Sequence, residues 1–251
     1  MMRNSIKRIC TLTKRNIKEI FRDPVNLAFM LGLPLLMEIL FYAIFHKMTS
    51  QFEIKYLAPG ITTFSQAFLT LFTGFLISLD RSTSFLTRLY VSPARSYEFI
   101  FGYSFSLIPI AVLQSVLFLI VGGLLDATFW SVTLLFGILL GIVTSLLFIG
   151  LGILLGSLCK ERSVGGVASG IIMGQSLLSG MWFPTEGIGK GMMTLMEVLP
   201  FRNATLLLQN AIGGYGDLFT DLVKPLLIVL AYAIVAFTAA IFVFRNKMKK
   251  V

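Results

Sequence analysis

The hydrophobic positions of this chain follow two regimes. From Arg3 to Arg22, the apolar residues Ile6, Ile9, Cys10, Thr13, Ile17, Ile20 and Phe21 recur at helical i, i+3, i+4 and i+7 spacing, with Lys7, Arg8, Lys14, Arg15, Lys18 and Arg22 among them. This pattern predicts an amphipathic helix lying in the plane of lipid headgroups, or packing its stripe on the protein's own helices at the edge of a bundle. Asp23-Pro24 then ends it, because proline cannot continue the hydrogen-bond ladder and restricts the residue before it. Beyond that point the apolar residues run on all faces. Six segments have the length needed to cross hydrocarbon: about 25–45, 58–79, 99–125, 132–158, 164–183 and 222–244. The predicted architecture is an all-α integral membrane protein, divided into an entry helix over 1–24 and a six-helix membrane domain over 25–251. The first apolar run follows a basic stretch, as in a leader peptide. It lacks a small-residue cleavage site near Phe45 and is long enough to span, so it is read as retained.

The fifth segment is diluted by Gly165, Gly166, Ser169, Gly170, Gly174, Gln175, Ser176 and Ser179. Its stability is expected to come from close helix contacts, which predicts a position inside the bundle. Within it Gly166, Gly170 and Gly174 recur every four residues along one face, as Gly152 and Gly156 do in the fourth segment. Such small-residue faces serve packing within one subunit or an interface between two. Between the fifth and sixth segments, 184–221 is too long for a tight turn. Its apolar residues before Pro200 and around Leu206 to Ile212 predict two short helices that dip back toward the outer surface, or an amphipathic loop lying on it.

Composition supports the membrane reading: 56% of the residues are hydrophobic and 13% charged. The net charge of +9 would suit nucleic acid, but its placement points elsewhere. Seven basic residues precede the first segment. Arg81, Arg88 and Arg95 follow the second, Lys160 and Arg162 the fourth, and Arg245, Lys247, Lys249 and Lys250 end the chain. Only Lys47, Lys55, Lys190, Arg202 and Lys224 fall on the other side. Basic residues concentrate on the cytoplasmic side, so an even number of spans with both termini cytoplasmic is expected, and nucleic acid is not. Cys10 and Cys159 then lie where thiols stay reduced, and no disulfide is expected.

Most enzymatic signatures are absent. The single histidine, His46, stands at the outer end of the first segment and supports neither a multi-His metal site nor a catalytic triad. Gly187-Ile188-Gly189-Lys190 lacks the spacing of a phosphate loop and follows no strand, so nucleotide hydrolysis must come from another chain. One carboxylate, Glu38, lies well inside a predicted span. An intramembrane acid is costly and marks either a pathway or a hydrogen-bonded structural site, its partners being Gln66, Gln114, Gln175, Tyr42 or water. The segment from Asp80 to Glu98, with Phe85, Leu86 and Leu89 beside Arg81 and Arg88 and closing on Ser92-Pro93, fits a brief helix with an apolar knob and a basic rim. It suits docking into a partner's groove, or stapling to the membrane through Phe85.

Taken in order, the basic entry helix, Leu57-Ala58-Pro59-Gly60-Ile61, the stretch from Asp80-Arg81 to Pro93, and Ser179-Gly180-Met181-Trp182-Phe183-Pro184 followed by Leu199-Pro200 resemble the permease family of type-2 ABC transporters. The match spans essentially the full chain, and its strength lies in the order and spacing of short motifs. The resemblance implies pairing of two such subunits, identical or related, with two cytoplasmic ABC ATPase subunits that hold ATP and Mg; no cofactor is expected on this chain. It implies ATPase coupling through Asp80, Arg81, Phe85, Arg88 and Leu89, and entry-helix docking through Lys14, Arg15, Lys18 and Arg22. It further implies a pathway or dimer interface at Glu38, Gly166, Gly170, Gly174 and Gln175, and an exit gate at Trp182, Phe183 and Pro184. Asp80, Ser82 and Ser84 stand where the family more usually has an acidic, glycine-containing stretch. Short outer loops and 23 phenylalanines favour an amphiphilic drug, lipid or peptide as the exported substrate, with polysaccharide export as the alternative. A self-contained secondary transporter would need an inverted repeat and several buried ionisable groups, and an intramembrane enzyme a paired catalytic constellation; neither pattern is evident.

Overall fold

The structure, a computed structural model, describes residues 2–83, 95–183, 185 and 187–248, and all regular elements among them are helical. Helix α1 (Met2–Phe21) ends where Pro24 removes a donor, and Asp23 caps the next helix by accepting the Asn26 backbone N–H at 3.1 Å. Helix α2 (Pro24–Phe45) contains one wide π turn, Ala28–Gly32. A π turn disturbs the regular ladder, and here the Met30 carbonyl accepts a 2.9 Å bond from the Ser65 hydroxyl of the neighbouring helix. A 3₁₀ turn at Ser50–Phe52 leads into α3 (Ile54–Ser82).

Helix α3 is the axis of the fold, with Leu57, Ile61, Ala67, Leu69 and Ile77 all buried. Pro59 sits in its second turn, and Gln209 donates to the nearby Tyr56 carbonyl at 2.9 Å beside the interrupted ladder. Around it stand α4 (Ser96–Leu125) and α5 (Thr133–Leu158), joined through a 3₁₀ turn at Ala127–Phe129, then α6 (Glu161–Leu178). Two short helices follow, α7 (Lys190–Val198) and α8 (Pro200–Gly213), and α9 (Lys224–Met248) continues from a π turn at Phe219–Val223.

The α3–α5 crossing brings two backbones into direct contact. A Cβ on Gly152 would stand 2.7 Å from the Thr70 carbonyl oxygen and 2.6 Å from Thr73 Cβ, and one on Gly156 would stand 2.8 Å from the Gly74 carbonyl oxygen. Only glycine lets the two backbones meet there, and Thr70 Oγ1 adds a 3.0 Å bond to the Phe148 carbonyl. Helix α9 closes the other flank of α5, with Val229, Ala233, Ala240 and Phe244 buried in the core shared with Phe148 and Ile153.

Helix α8 is packed among α3, α5 and α9 through Thr205, Leu207, Leu208 and Ala211, while α7 buries Met196 alone. The Asn203 amide fixes the turn between them by donating to the carbonyls of Glu197 and Leu199, both at 2.8 Å.

Helix α6 departs from expectation. It lies at the edge of the chain: only Val164, Ala168 and Gln175 are buried, whereas Val167, Met173 and Leu177 are exposed. Of the glycines that dilute its hydropathy, Gly165 and Gly174 meet Phe75 and Phe201, but the face between them stays open. A Cβ on Gly166 or Gly170 would have nothing within 4 Å. Helix α2 is similarly peripheral, exposing Val25, Phe29, Leu36, Leu40 and Ile44.

Candidate functional site

The end of the bundle where α1 meets α3 and α4 is organised by two buried carboxylates. Glu98 and Asp80 are 0% and 1% exposed, and each receives an arginine from α1. Arg8 Nε lies 3.3 Å from Glu98 Oε2, and Ser5 Oγ donates to Glu98 Oε1 at 2.5 Å. Arg15 makes a two-pronged contact with both Asp80 oxygens, and the Tyr103 hydroxyl donates to Asp80 Oδ2 at 2.6 Å. Arg8 and Arg15 are two helical turns apart, so they fall on one face with Ser5, Leu12 and Asn16, and Leu12 lies over Gly102. Helix α1 therefore turns a polar face inward, while its apolar stripe leaves Ile6 and Phe21 exposed.

The electrostatics of this corner follow from that arrangement. Burial opposes the Arg15 charge, but the hydrogen bonds and attraction of Asp80 outweigh it and hold the guanidinium above its ordinary pKa. Glu19, 2.6 Å from Arg15 Nη2, is pushed the other way for an acid: burial raises its pKa, the attraction of Arg15 lowers it, and the like charge of Asp80 adds to the rise. One guanidinium thus serves two carboxylates.

Arg81, next along α3, donates through Nη1 to the carbonyls of Gly156 and Ser157, both at 2.8 Å, and of Cys159 at 3.1 Å. Those are the unsatisfied carbonyls at the C-terminus of α5, where a cation also complements the helix dipole. Asp80 and Arg81 are thus held by this chain's own helices, at the base of the segment that carries Phe85, Arg88 and Leu89, which lie outside the described residues. Lys14 and Lys18 on α1 and Arg22 just past its end, by contrast, form an exposed row at i, i+4 and i+8, and Arg15 faces inward. Arg8 is legible in the sequence only as one of the basic residues of the entry helix, and Glu98 and Tyr103 have no mark beyond being polar residues near the start of a predicted helix.

Along the peripheral face, Glu38 is fully buried on α2, and neither of its oxygens has a hydrogen-bond partner among the described residues. None of the expected neutral partners bonds to it. Gln66 donates to the Gly141 carbonyl at 2.8 Å and accepts from Thr144, Gln114 donates to Ser65, and Gln175 donates to Thr205 Oγ1 at 2.9 Å. The Tyr42 ring stacks on His46 at 4.6 Å. These polar side chains find shorter routes to helix carbonyls and hydroxyls, which is how buried amides satisfy their donors. Gln175 and Gly174 join α6 to α8, through Thr205 and through Phe201, which lies 3.1 Å from the position of a Gly174 Cβ.

At the far end of α6, an aromatic cluster ties it to α2 and α3. The Trp182 ring meets Phe41 edge-on at 4.8 Å and Phe64 at 5.9 Å, and its Nε1 donates to Ser176 Oγ at 2.8 Å. Gly180 takes φ +74°, a conformation suited to glycine, and the Gln51 side chain donates to its carbonyl. Phe183 is half-buried beside this cluster; Pro184 lies outside the described residues.

Five helices among the described residues (Pro24–Phe45, Ile54–Ser82, Ser96–Leu125, Thr133–Leu158 and Phe219–Asn246) are long and apolar enough to cross a membrane. That number, with polar contacts gathered at helix ends and between helices, defines a multi-pass membrane protein. The family model described as "ABC-2 type transporter" matches residues 7–212, and the chain belongs to that family. It is the membrane component of an ABC transporter, in a family whose members normally work with an ABC ATPase. No curated protein matches the chain significantly.

Proposed function

We propose that this chain is the permease subunit of an ATP-driven exporter, crossing the cell membrane six times with both termini cytoplasmic. In this reading α6 is the sixth crossing helix, lying fifth in order, and the α7–α8 pair dips into the outer side of the bilayer. Two copies, or one copy and a related subunit, pair with two cytoplasmic ABC ATPases that hold ATP and Mg. An amphiphilic substrate leaves by alternating access.

The observation that carries the reading is the peripheral face of α2 and α6. Gly166 and Gly170 offer flat, open backbone next to exposed Met173 and Leu177, on a helix that holds its place through Gln175 and Trp182. A second permease subunit fits such a face, since small residues allow close helix approach where lipid gives no hydrophobic drive. Coupling to the ATPase is assigned to the segment from Asp80 and Arg81 through Phe85, Arg88 and Leu89, with Lys14, Lys18 and Arg22 as the basic rim. The clamp of α1 to α3 through Arg15 and Asp80 would carry a push on that rim into the bundle. Trp182, Phe183 and Pro184 form the exit gate, closed by Phe41 and Phe64.

The test is purification of the tagged full chain from its native membrane in mild detergent, with mass spectrometry and an ATPase assay. A co-purifying ABC ATPase whose activity falls in Phe85→Ala and Arg88→Ala variants is the expected result. A chain that purifies without any ATPase would overturn the exporter reading and favour a self-contained transporter.

A further inference from the structure

A groove of about 330 Å³ opens between α1, α2, α3 and the first turn of α6, large enough for a small ligand. Its walls are apolar, formed by Leu27 and Met30 of α2 and by Phe72, Phe75 and Leu76 of α3. Among the described residues, the ionisable groups that line it are all acidic: Glu19, Asp23 and Glu161. Their charge is offset only in part. Arg15 pairs with Glu19 but is shared with Asp80. The Asp23 carboxylate accepts from the neutral backbone and amide of Asn26. Glu161 is exposed and makes no ion pair among the described residues, and its chain neighbours Lys160 and Arg162 do not line the groove. Lys18 and Arg22 border Glu19 on the other face of α1.

The groove is also polarised along its length. Asp23 is the corner from which α2 starts and Glu161 is the first residue of α6, so both acids sit at one end. Leu27 and Met30 follow one and two turns farther along α2, and Leu76 and Phe72 lie one and two turns back from Asp80 along α3. An acidic mouth over an apolar throat matches a molecule with a cationic head and a hydrocarbon tail, and repels an anionic one.

We propose that this groove is the entry site for a cationic amphiphile, taken tail-first from the cytoplasmic leaflet with its positive head held by Glu161, Glu19 and Asp23. The proposal rests on the exporter reading for its direction and names the substrate class of that pathway.

The test measures site occupancy without requiring transport. Leu79 lines the groove and is 40% exposed, so a Leu79→Cys variant, with Cys10→Ser and Cys159→Ser to remove background, reports on it by maleimide labelling. The full chain is held in zwitterionic nanodiscs with its co-purified ATPase. Decyltrimethylammonium at about ten times its Kd is expected to slow labelling roughly tenfold, as occupancy dictates. Decyl maltoside and decyl sulfate should give no such protection, and Glu161→Lys or the milder Glu161→Gln should lose it. Equal protection by the neutral chain, or cation protection that survives both Glu161 variants, overturns the site. Because labelling needs no ATP, absence of a bound ATPase would sink the exporter reading while leaving this result intact. Absence of protection with the ATPase bound would sink the entry site alone.

Discussion

Arg15 of α1 and Asp80 of α3 stand 65 residues apart in the chain and meet in a two-pronged ion pair, with Tyr103 of α4 donating to the same carboxylate. Asp80 is almost fully buried and Arg15 about one-third exposed. Removing the cation leaves a carboxylate in low dielectric with one neutral donor. Arg15→Ala is therefore expected to cost about 1.5–3 kcal/mol, the range for hydrogen bonds to charged groups. The exchanged pair Arg15→Asp with Asp80→Arg should recover part of it, as read by thermal unfolding in detergent. An Arg15→Ala protein with an unchanged Tm would mean that α1 is held by its other contacts.

Glu19 gives a pH dependence whose sign runs against its ion pair with Arg15. Burial raises its pKa above the ordinary carboxylate value in the folded chain. A raised acid pKa means the folded state binds the proton more tightly than the unfolded state. Its contribution is therefore full below the unfolded pKa and is lost as pH rises through the raised folded value. Glu19→Gln is expected to unfold at a higher temperature than the parent at pH 7, with the difference shrinking toward pH 4. A variant that is less stable at pH 7 would show that Arg15 attraction dominates burial.

The two glycine faces separate packing within the chain from contact outside it. Gly152→Ala forces a Cβ against the Thr70 carbonyl oxygen, and overpacking of this kind costs about 1–3 kcal/mol. Gly170→Leu meets nothing within 4 Å of its first carbon. It is expected to leave the melting temperature of the monomer unchanged while weakening dimers on native gels. An unchanged oligomer would put the partner surface elsewhere.

Trp182 offers an optical report on the outer gate, since the chain has only two tryptophans and Trp130 is 54% exposed. In a Trp130→Phe variant, emission comes from Trp182 packed between Phe41 and Phe64. If α2 and α6 part there during the cycle, adding ATP to the assembled transporter should shift emission to the red. A constant spectrum through turnover would place the gate away from Trp182.

These relationships differ in how far the sequence foretells them. The helices over 24–45, 54–82, 96–125, 133–158 and 219–248 follow from run length and hydropathy, and the break at Asp23-Pro24 from proline chemistry. The Gly152 and Gly156 crossing also follows a legible four-residue spacing. What could not be read is which face of a helix meets which neighbour. The same small-residue pattern packs α5 tightly and leaves α6 open at Gly166 and Gly170, because spacing records a flat surface and not its occupant. Likewise, Arg8 and Arg15 read as surface cations on α1. Only the chain's return through α3 and α4 brings Asp80 and Glu98 beneath them.

Glu38 tests the remaining ambiguity on α2. Its oxygens are buried without hydrogen-bond partners among the described residues, although a buried carboxylate left ionised and unpaired would be very costly. Nothing in the fold would then be lost by removing the charge. Glu38→Gln keeps the shape, and its stability is expected to stay within about 0.5 kcal/mol of the parent or to rise, as for a substitution that breaks no interaction. Transport separates the two roles: a pathway acid would show a changed rate for cationic substrates with no change in Tm, whereas a buried structural group would leave every rate unaltered. The decisive measurement is the substrate-stimulated ATPase rate of the assembled complex, compared for a cationic and a neutral amphiphile. A fall confined to the cationic one would extend the acidic mouth at Glu161 into a path running along α2.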